Sequence, residues 1–429
     1  MPLDIKIISL GCAKNTVDSE KIAFNLHQLF HKVSFVDIPS PADILIINTC
    51  GFILDAKQES IDTILQAIEL KKKHQIKKIF VTGCLSTRYL NELKTAIPEV
   101  DSYFTVNNYN TIIHKINQNK KLDFNEHARI LSTPSHYAYL KIAEGCNRHC
   151  SFCAIPSIRG KYHSETMDNL HIETVQLANN GVKELILIAQ DLTYYGYDKT
   201  RKSQLALLLK KLSQVDGIEW IRLHYTYPQF FTNKLIDEIA YNPKICHYID
   251  IPIQHISDHV LSLMKRGTSQ KTIIHLLDKL RYRIPDLHLR TTILVGHPYE
   301  TADDFSELWH FLKDFRFERL GVFKYSHEEN TYAASHYQDN ISKKIKKTRM
   351  EKIMALQQTI HEENNKKRIG TFQKVIIDRV EGNFLVGRTQ YDSPEIDGEV
   401  LIPITNTYKI GHFYDVQIQD VVGFDLLAT

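Results

Sequence analysis

The first hundred residues alternate short, almost wholly apolar runs with longer amphipathic stretches. Residues 5–10 (IKIISL), 43–48 (DILIIN) and 78–82 (KIFVT) read as buried strands, and 18–30 and 53–73 as helices between them, with another helix after the third run. This strand–helix rhythm predicts a doubly wound, parallel α/β sheet. A polar stretch, 122–135, reads as a linker. The rhythm then resumes, with strands at 137–142, 184–189, 220–223, 248–253, 289–295 and 319–323 and helices around 169–180, 203–212, 272–282 and 302–315. Repeated units over nearly two hundred residues predict a full or partial β/α barrel whose site lies at the C-terminal ends of its strands.

The pattern changes twice more. Residues 341–368 form a long helical stretch in which Ile353, Leu356 and Ile360 mark the apolar face and Gly370 is a C-cap candidate. From Ile369 onward, short strand-like segments joined by Gly, Asp and Asn predict a small antiparallel barrel. The expected division is therefore 1–120, a linker at 121–135, a central barrel with its connecting helix at 136–368, and a terminal barrel at 369–429.

Composition narrows the class. Of 429 residues, 43% are hydrophobic and 24% charged, as in ordinary globular proteins, and the formal net charge of +3 implies no general affinity for polyanions. Asp4 stands where a signal peptide would carry positive charge, and no uninterrupted apolar run approaches a membrane span. The expected location is the cytoplasm, without membrane contact. Disulfides are rare there, and grouped cysteines usually bind metal or do redox work.

Six of the seven cysteines fall into two groups of three. Cys146, Cys150 and Cys153 form one compact run, EGCNRHCSFCAIP, in which Phe152 can shield the sulfurs from water. Cys12, Cys50 and Cys84 are far apart in sequence, but each lies just past a predicted strand, in SLGCAKN, NTCGF and TGCLS. The carboxyl ends of parallel strands line one crevice, so these three can converge. Full cysteine ligation of an iron–sulfur cluster takes four thiolates, so three leave one iron open, the mark of a reactive site. The compact run with His149 or His163 could instead make a zinc site, although zinc sites usually pair two C-x2-C elements. Cys246 lies outside both groups and reads as buried packing.

The compact run resembles the radical S-adenosylmethionine motif. With SLGCAKNTVDSE, NTCGF and TGCLS, and with the domain order, the whole chain resembles the methylthiotransferases of that superfamily. The resemblance implies two four-iron clusters. One, on Cys146, Cys150 and Cys153, would bind S-adenosylmethionine and generate the 5′-deoxyadenosyl radical; the other, on Cys12, Cys50 and Cys84, would carry the sulfur. An external electron donor, a reductase with flavodoxin or ferredoxin, is implied too. The terminal barrel would be of the TRAM type.

One branch of the family modifies an adenosine of transfer RNA; another acts on the β-carbon of an aspartate in small-subunit ribosomal protein S-twelve. SLGCAKN, WIRLHYTYP, YIDIPIQH and SPEIDG resemble the protein-modifying branch, since the RNA enzymes tend to read YGC-Q-x-N at the first motif. Charge points the same way. From Ile369 onward four basic residues (Lys374, Arg379, Arg388, Lys409) face nine acidic ones (Asp378, Glu381, Asp392, Glu395, Asp397, Glu399, Asp415, Asp420, Asp425), a net of −5. Such a barrel is expected to repel RNA and attract a basic ribosomal protein, with Asp397 and Glu399 at the contact and no direct binding of transfer RNA. The RNA-modifying relative and a non-enzymatic iron–sulfur electron carrier are the other readings.

Strand ends of the central barrel supply the expected S-adenosylmethionine contacts: Gln190, Asp191, Thr193, Arg222, His224, Gln254, His255 and Gly296. Each could equally be a hydrogen-bonded rim residue. The chain departs from the family's G-F-P-G-E-T at His297 and Tyr299, and carries Glu165 where Arg is frequent.

Overall fold

The computed structural model describes residues 2–29, 31–106, 108–117, 125, 127–404 and 407–429. The N-terminal part runs β1 (Asp4–Ser9), α1 (Ala13–His27), β2 (Lys32–Phe35), β3 (Ala42–Thr49), α2 (Leu54–Lys72), β4 (Ile76–Gly83), α3 (Cys84–Arg88), α4 (Leu90–Ala96), β5 (Ser102–Tyr103) and α5 (Tyr109–Ile116). Its five strands form one parallel sheet in the order β2-β1-β3-β4-β5. Both faces are covered: Ile8, Leu45, Ile47, Ile79 and Val81 pack under α2, and Ile5, Ile7, Ile44, Ile46 and Phe80 pack under α1 and α5. That two-sided burial is why these strands are continuously apolar rather than alternating. The first helix begins at Ala13, not near residue 18. Cys12 is its N-cap, and its carbonyl accepts from Asn15 and Thr16 N–H at 2.8 and 3.2 Å.

The central part runs β6 (Tyr137–Lys141), β7 (Ala143–Glu144), α6 (Ile155–Arg159), β8 (His163–Ser164), α7 (Met167–Asn179), β9 (Glu184–Ile188), α8 (Tyr197–Thr200), α9 (Leu205–Ser213), β10 (Trp220–Leu223), α10 (Asn233–Tyr241), β11 (Ile245–Asp250), α11 (Asp258–Leu263), α12 (Gln270–Arg283), β12 (His288–Val295), α13 (Ala302–Phe315), β13 (Arg319–Lys324), α14 (Tyr332–His336) and α15 (Lys343–Lys366). Six strands make a parallel sheet, β13-β12-β11-β10-β9-β6, that curls without closing, so the barrel is a partial one. Two predicted boundaries move for identifiable reasons. The strand expected at 248–253 ends at Asp250, because Pro252 has no N–H to give a ladder. The long helix ends at Lys366 with Lys367 as C-cap; Gly370, at φ +83°, instead donates its N–H to the Ile418 carbonyl (2.8 Å) at the entry to the last domain.

The C-terminal strands β14 (Phe372–Glu381), β15 (Phe384–Thr389), β16 (Val400–Pro403), β17 (Phe413–Val422) and β18 (Asp425–Ala428) close into a barrel, β14-β15-β16-β18-β17. It is not wholly antiparallel, since β16 and β18 pair parallel. Five strands cannot close with alternating directions, so one parallel pair is unavoidable.

Residues 121–124 and 126 of the expected linker lie outside the described residues. The remainder is pinned down. Arg129, 8% exposed, pairs with Glu20 at 2.9 Å and Glu173 at 3.1 Å, and Ser132 N–H and Oγ donate to Glu20 at 2.8 and 2.9 Å.

Candidate active site

Cys12, Cys50 and Cys84 lie just past the carboxyl ends of β1, β3 and β4, adjacent strands of one sheet, and glycines let their loops close on one another. A Cβ at Gly11, which has φ +92°, would stand 2.6 Å from Cys50 Cβ and 2.9 Å from its Sγ. A Cβ at Gly51 would stand 2.6 Å from Leu85 Cα. Only glycine permits such backbone approach. Asn15, fully buried, stitches the three loops together. Its Nδ2 donates to the Leu10 and Thr49 carbonyls at 2.8 and 3.1 Å, and its Oδ1 lies 3.8 Å from Cys84 Sγ. Asn48 Nδ2 donates in turn to the Asn15 carbonyl at 2.9 Å. Asn15 was not singled out in the sequence, although it belongs to SLGCAKN.

The second triad lies on the loop between β7 and α6. Arg266 Nη1 donates to Cys150 Sγ and the Arg148 N–H to Cys146 Sγ, both at 3.4 Å. Both guanidinium groups stack on the Tyr227 ring, Arg148 at 3.9 Å and Arg266 at 4.3 Å from its centroid. Phe152 packs against the apolar cluster of Val260, Met264, Leu294, Tyr325 and Ala333 and so anchors one flank of the loop. Burial pushes the thiols of Cys84 and Cys146 up to about 11 and that of Cys153 up to about 12, and raises that of Cys50. Cys12 differs. Burial raises it too, but the Lys14 and Arg159 charges and the Asn15 and Lys14 N–H groups outweigh burial and lower it.

The elements that carry the two triads pack together at the junction of the first two domains. Cys84 shares a buried apolar cluster with Val106, Ala154 and Ile158, and Ala154 directly follows Cys153. Arg159, its side chain 1% exposed, donates to Asn15 Oδ1 at 2.5 Å and bridges Glu144 at 2.9 Å and Asp18 at 3.3 Å. Asp18 also pairs with Lys141 and accepts from the Tyr109 hydroxyl at 2.6 Å. Val17, with Ala13 and Tyr225 against it, packs on Tyr137, Tyr139, Ile186 and Ile188, so α1 covers the inner face of the open barrel.

Among the described residues no three His, Cys, Asp or Glu side chains lie close enough to share a single ion. All seven cysteines are free thiols. Two sets of three separated thiols, each flanked by cationic or N–H donors, suit multi-iron groups better than one tetrahedral ion.

The other expected contacts divide. Gln190 Nε2 donates to Glu144 at 2.8 Å while its Oε1 is buried without a partner; His255 Nδ1 accepts from Ser257 N–H at 3.0 Å while its Nε2 is buried without a partner. Both leave a polar atom for a ligand. Asp191 is committed to Arg148 at 2.8 Å and to Thr193 Oγ1 at 2.6 Å, so this pair positions the cysteine loop. Gln254, at φ +69°, forms a bridge to Ile293. Gly296 follows β12, with its N–H on the buried Glu300. His297 is buried and hydrogen-bonded to Ser151 Oγ at 3.1 Å, Tyr299 accepts a φ of +67° at the surface, and Glu165 accepts from Thr166 N–H at 2.7 Å at the start of α7.

Arg222 and His224 do not reach this mouth. Arg222 pairs with Glu184 at 2.7 Å and donates to the Gln390 and Thr389 carbonyls; His224, held neutral by burial and nearby arginines, is hydrogen-bonded to Ser393 at 2.9 Å. Both point inward onto the C-terminal barrel, which plugs the opposite, N-terminal end of the strands. Cys246 is buried at the same junction with Trp220, Tyr248 and Ile376.

This plug takes Asp378, Asp392 and Asp397 out of the expected acidic docking face, while Glu395, Asp415 and Asp420 stay exposed. Asp392 pairs with Arg319 at 2.5 Å and Asp378 with Arg388 at 2.6 Å. Asp397, its side chain 3% exposed, accepts from the Tyr248 hydroxyl at 2.8 Å beside Arg290 and Arg319. Glu381 and Glu399 are held by Arg379 at 2.5 and 2.6 Å. A residue count sees the charge but not its burial against arginines.

Comparison with known proteins follows the same three-part division. Residues 4–105 match the uncharacterized protein family UPF0004, residues 140–312 the Radical SAM superfamily and residues 369–429 the TRAM domain. The chain is 47% identical to the ribosomal protein uS12 methylthiotransferase RimO of Phocaeicola vulgatus, over 99% of this chain and 98% of that protein. It is also 47% identical to the protein of the same name from Prosthecochloris aestuarii, over 98% and 97%. Among solved structures, the radical S-adenosylmethionine methyltransferase TsrM from Kitasatospora setae, with tryptophan and a S-adenosylmethionine analogue bound, matches with TM-score 0.57 at 12% identity, over 74% of this chain and 72% of that one. The cobalamin-dependent radical enzyme OxsB matches with TM-score 0.53 at 12% identity, over 81% and 56%. Those two likenesses establish the fold alone.

Proposed function

The chain belongs to the ribosomal protein uS12 methylthiotransferase family, and on that premise we propose how its parts divide the reaction. It is a radical S-adenosylmethionine enzyme that methylthiolates ribosomal protein uS12, and it uses a four-iron cluster and S-adenosylmethionine. In our reading Cys146, Cys150 and Cys153 hold that cluster, and Cys12, Cys50 and Cys84 hold a second. When bound, the first cluster with S-adenosylmethionine supplies a carbon radical able to take hydrogen from the aspartate β-carbon, and the second supplies the sulfur.

The chain's own residues orient and enclose. Arg148 and Arg266, stacked on Tyr227, fix the loop of the first cluster and place positive charge beside its thiolates. Asn15 and the close-packed glycines fix the second. Arg159 and the Cys84–Ala154–Ile158 contact hold the two in register, and α1 and Tyr225 exclude water from the junction. The free Gln190 Oε1 and buried His255 Nε2 are the contacts we assign to S-adenosylmethionine. The single observation that carries this division is that Cys84 shares one buried apolar cluster with Ala154, the residue following Cys153.

The finer parts of the reading are that residues 1–120, 136–368 and 369–429 act as three units, that a flavodoxin or ferredoxin with its reductase donates electrons, that the enzyme works in the cytoplasm, and that transfer RNA is not its substrate. Family membership supports the last point. No helix among the described residues is long and apolar enough to cross a membrane. Mass spectrometry of uS12 from cells with and without this gene tests the function: one methylthio group that appears only with the gene supports it, and an unmodified uS12 beside a methylthiolated transfer RNA refutes it.

A further inference from the structure

One buried cation at the junction has no carboxylate partner of its own; the opposite charge that acts on it most is the thiol of Cys12, two residues before it. Lys14, 8% exposed, is two residues past Cys12 in the first turn of α1. Among the described residues its ammonium makes no hydrogen bond or ion pair. It sits instead 3.4 Å from the centroid of the Tyr225 ring, across the domain boundary. Its cationic neighbours are all committed: Arg159 to Glu144 and Asp18, Arg290 to Asp250 at 3.0 Å, and Lys141 to Asp18 and Glu144. The nearby acids Asp18, Glu144 and Asp250 are taken up by those partners. Buried charges are normally paired, so an ammonium with no hydrogen bond and no carboxylate partner beside the Cys12 thiol has capacity for a further anion.

The position of Tyr225 says which anion. Its N–H donates to Asp250 at 3.0 Å and its carbonyl accepts from Leu192 N–H at 3.1 Å, so it is fixed at the carboxyl end of β10. Two residues further on, Tyr227 carries the arginines that hold the Cys146–Cys150 loop. Lys14 therefore links the N-terminal triad, through Cys12, to the strand end that supports the other triad's loop, and a substrate that loses hydrogen to one triad and gains sulfur from the other has to come to that junction. In an aspartate side chain the carboxylate is bonded directly to the β-carbon. A cation holding that carboxylate fixes the reacting carbon one bond away.

We propose that Lys14 receives the side-chain carboxylate of the substrate aspartate, a specificity contact that rests on the methylthiotransferase reading above. The ammonium is a point charge that tolerates rotation of the carboxylate, and its aromatic platform holds it in place when the site is empty of substrate. The same chemistry would suit the carboxylate of S-adenosylmethionine, and the test separates the two sources.

The experiment measures binding of a fluorescent peptide spanning the modified aspartate of uS12, and of the same peptide with asparagine, to reconstituted wild type, Lys14→Met and Lys14→Arg. Iron content confirms that each variant keeps its clusters. Wild type should prefer aspartate by roughly 10- to 100-fold, the worth of one charge-assisted contact. Lys14→Met should bind both peptides alike, and Lys14→Arg should restore part of the preference. Retained discrimination in Lys14→Met overturns the proposal. So does a variant that loses affinity for S-adenosylmethionine with peptide discrimination intact, which would give Lys14 to the cofactor. If wild type methylthiolates uS12 and discrimination survives in Lys14→Met, only this inference fails. If wild type does not modify uS12 at all, the functional reading fails with it.

Discussion

Replacing Arg159 with Met should undo the docking of the N-terminal sheet on the central barrel. The guanidinium is buried and contacts Asn15 (2.5 Å), Glu144 (2.9 Å) and Asp18 (3.3 Å), drawing on both domains. Deleting one member of a buried ionic network costs about 3–5 kcal/mol, because the partner charges stay buried. Asp18 would keep Lys141 and the Tyr109 hydroxyl, and Glu144 would keep Lys141 and Gln190. The cost therefore belongs at the lower end, about 3 kcal/mol. At about 2–4 °C per kcal/mol for a unit of this size, the corresponding calorimetric transition should fall by roughly 6–12 °C. A double-mutant cycle with Asp18→Asn should show coupling of about 1 kcal/mol or more. A fall below about 2 °C with no coupling would refute the reasoning, and Arg159 would then be a bystander at the junction.

Three further outcomes are expected. Gly11→Ala, which forces a Cβ to within 2.6 Å of Cys50 Cβ at φ +92°, should lower the iron bound by the N-terminal triad while the other triad stays loaded, read by iron content and electron paramagnetic resonance. Replacing Cys12, Cys50 and Cys84 together with Ala should remove roughly half of the reconstituted iron; full retention would contradict a second cluster. Asp392 is held below the ordinary carboxyl value of 3.8: burial opposes its charge, but Arg319 and Arg368 outweigh burial. A depressed value means that its ionised form stabilises the fold above pH 3.8 and that this contribution is lost as pH falls toward the folded value. The melting temperature of wild type should therefore drop more steeply below about pH 4 than that of Asp392→Asn, which starts lower at neutral pH.

What the sequence shows and what it hides follow from the range of the interactions. The strand-end cysteines were legible because two-sided burial writes an apolar run before each of them. The start of α13 was legible because Thr301 and Asp304 form a capping box within four residues. The roles of Asn15, Arg159 and Arg129 were not, because each joins segments distant in sequence, Asn15 to Thr49, Arg159 to Asn15 and Asp18, and Arg129 to Glu20. Arg222 and His224 looked like rim residues, yet an inward-facing position on a barrel strand can serve either end, and here the C-terminal barrel claims both. Of the nine acids of that barrel, Asp378, Asp392 and Asp397 spend their charge inside the molecule, which a residue count does not reveal.

The central claim is that the two triads do different jobs in one cavity. The most direct measurement follows 5′-deoxyadenosine formation and uS12 methylthiolation together in two triple Cys→Ala variants. Loss of Cys146, Cys150 and Cys153 should abolish both products. Loss of Cys12, Cys50 and Cys84 should leave 5′-deoxyadenosine and abolish the methylthio group. Methylthiolated uS12 from the second variant, or 5′-deoxyadenosine from the first, would contradict the account.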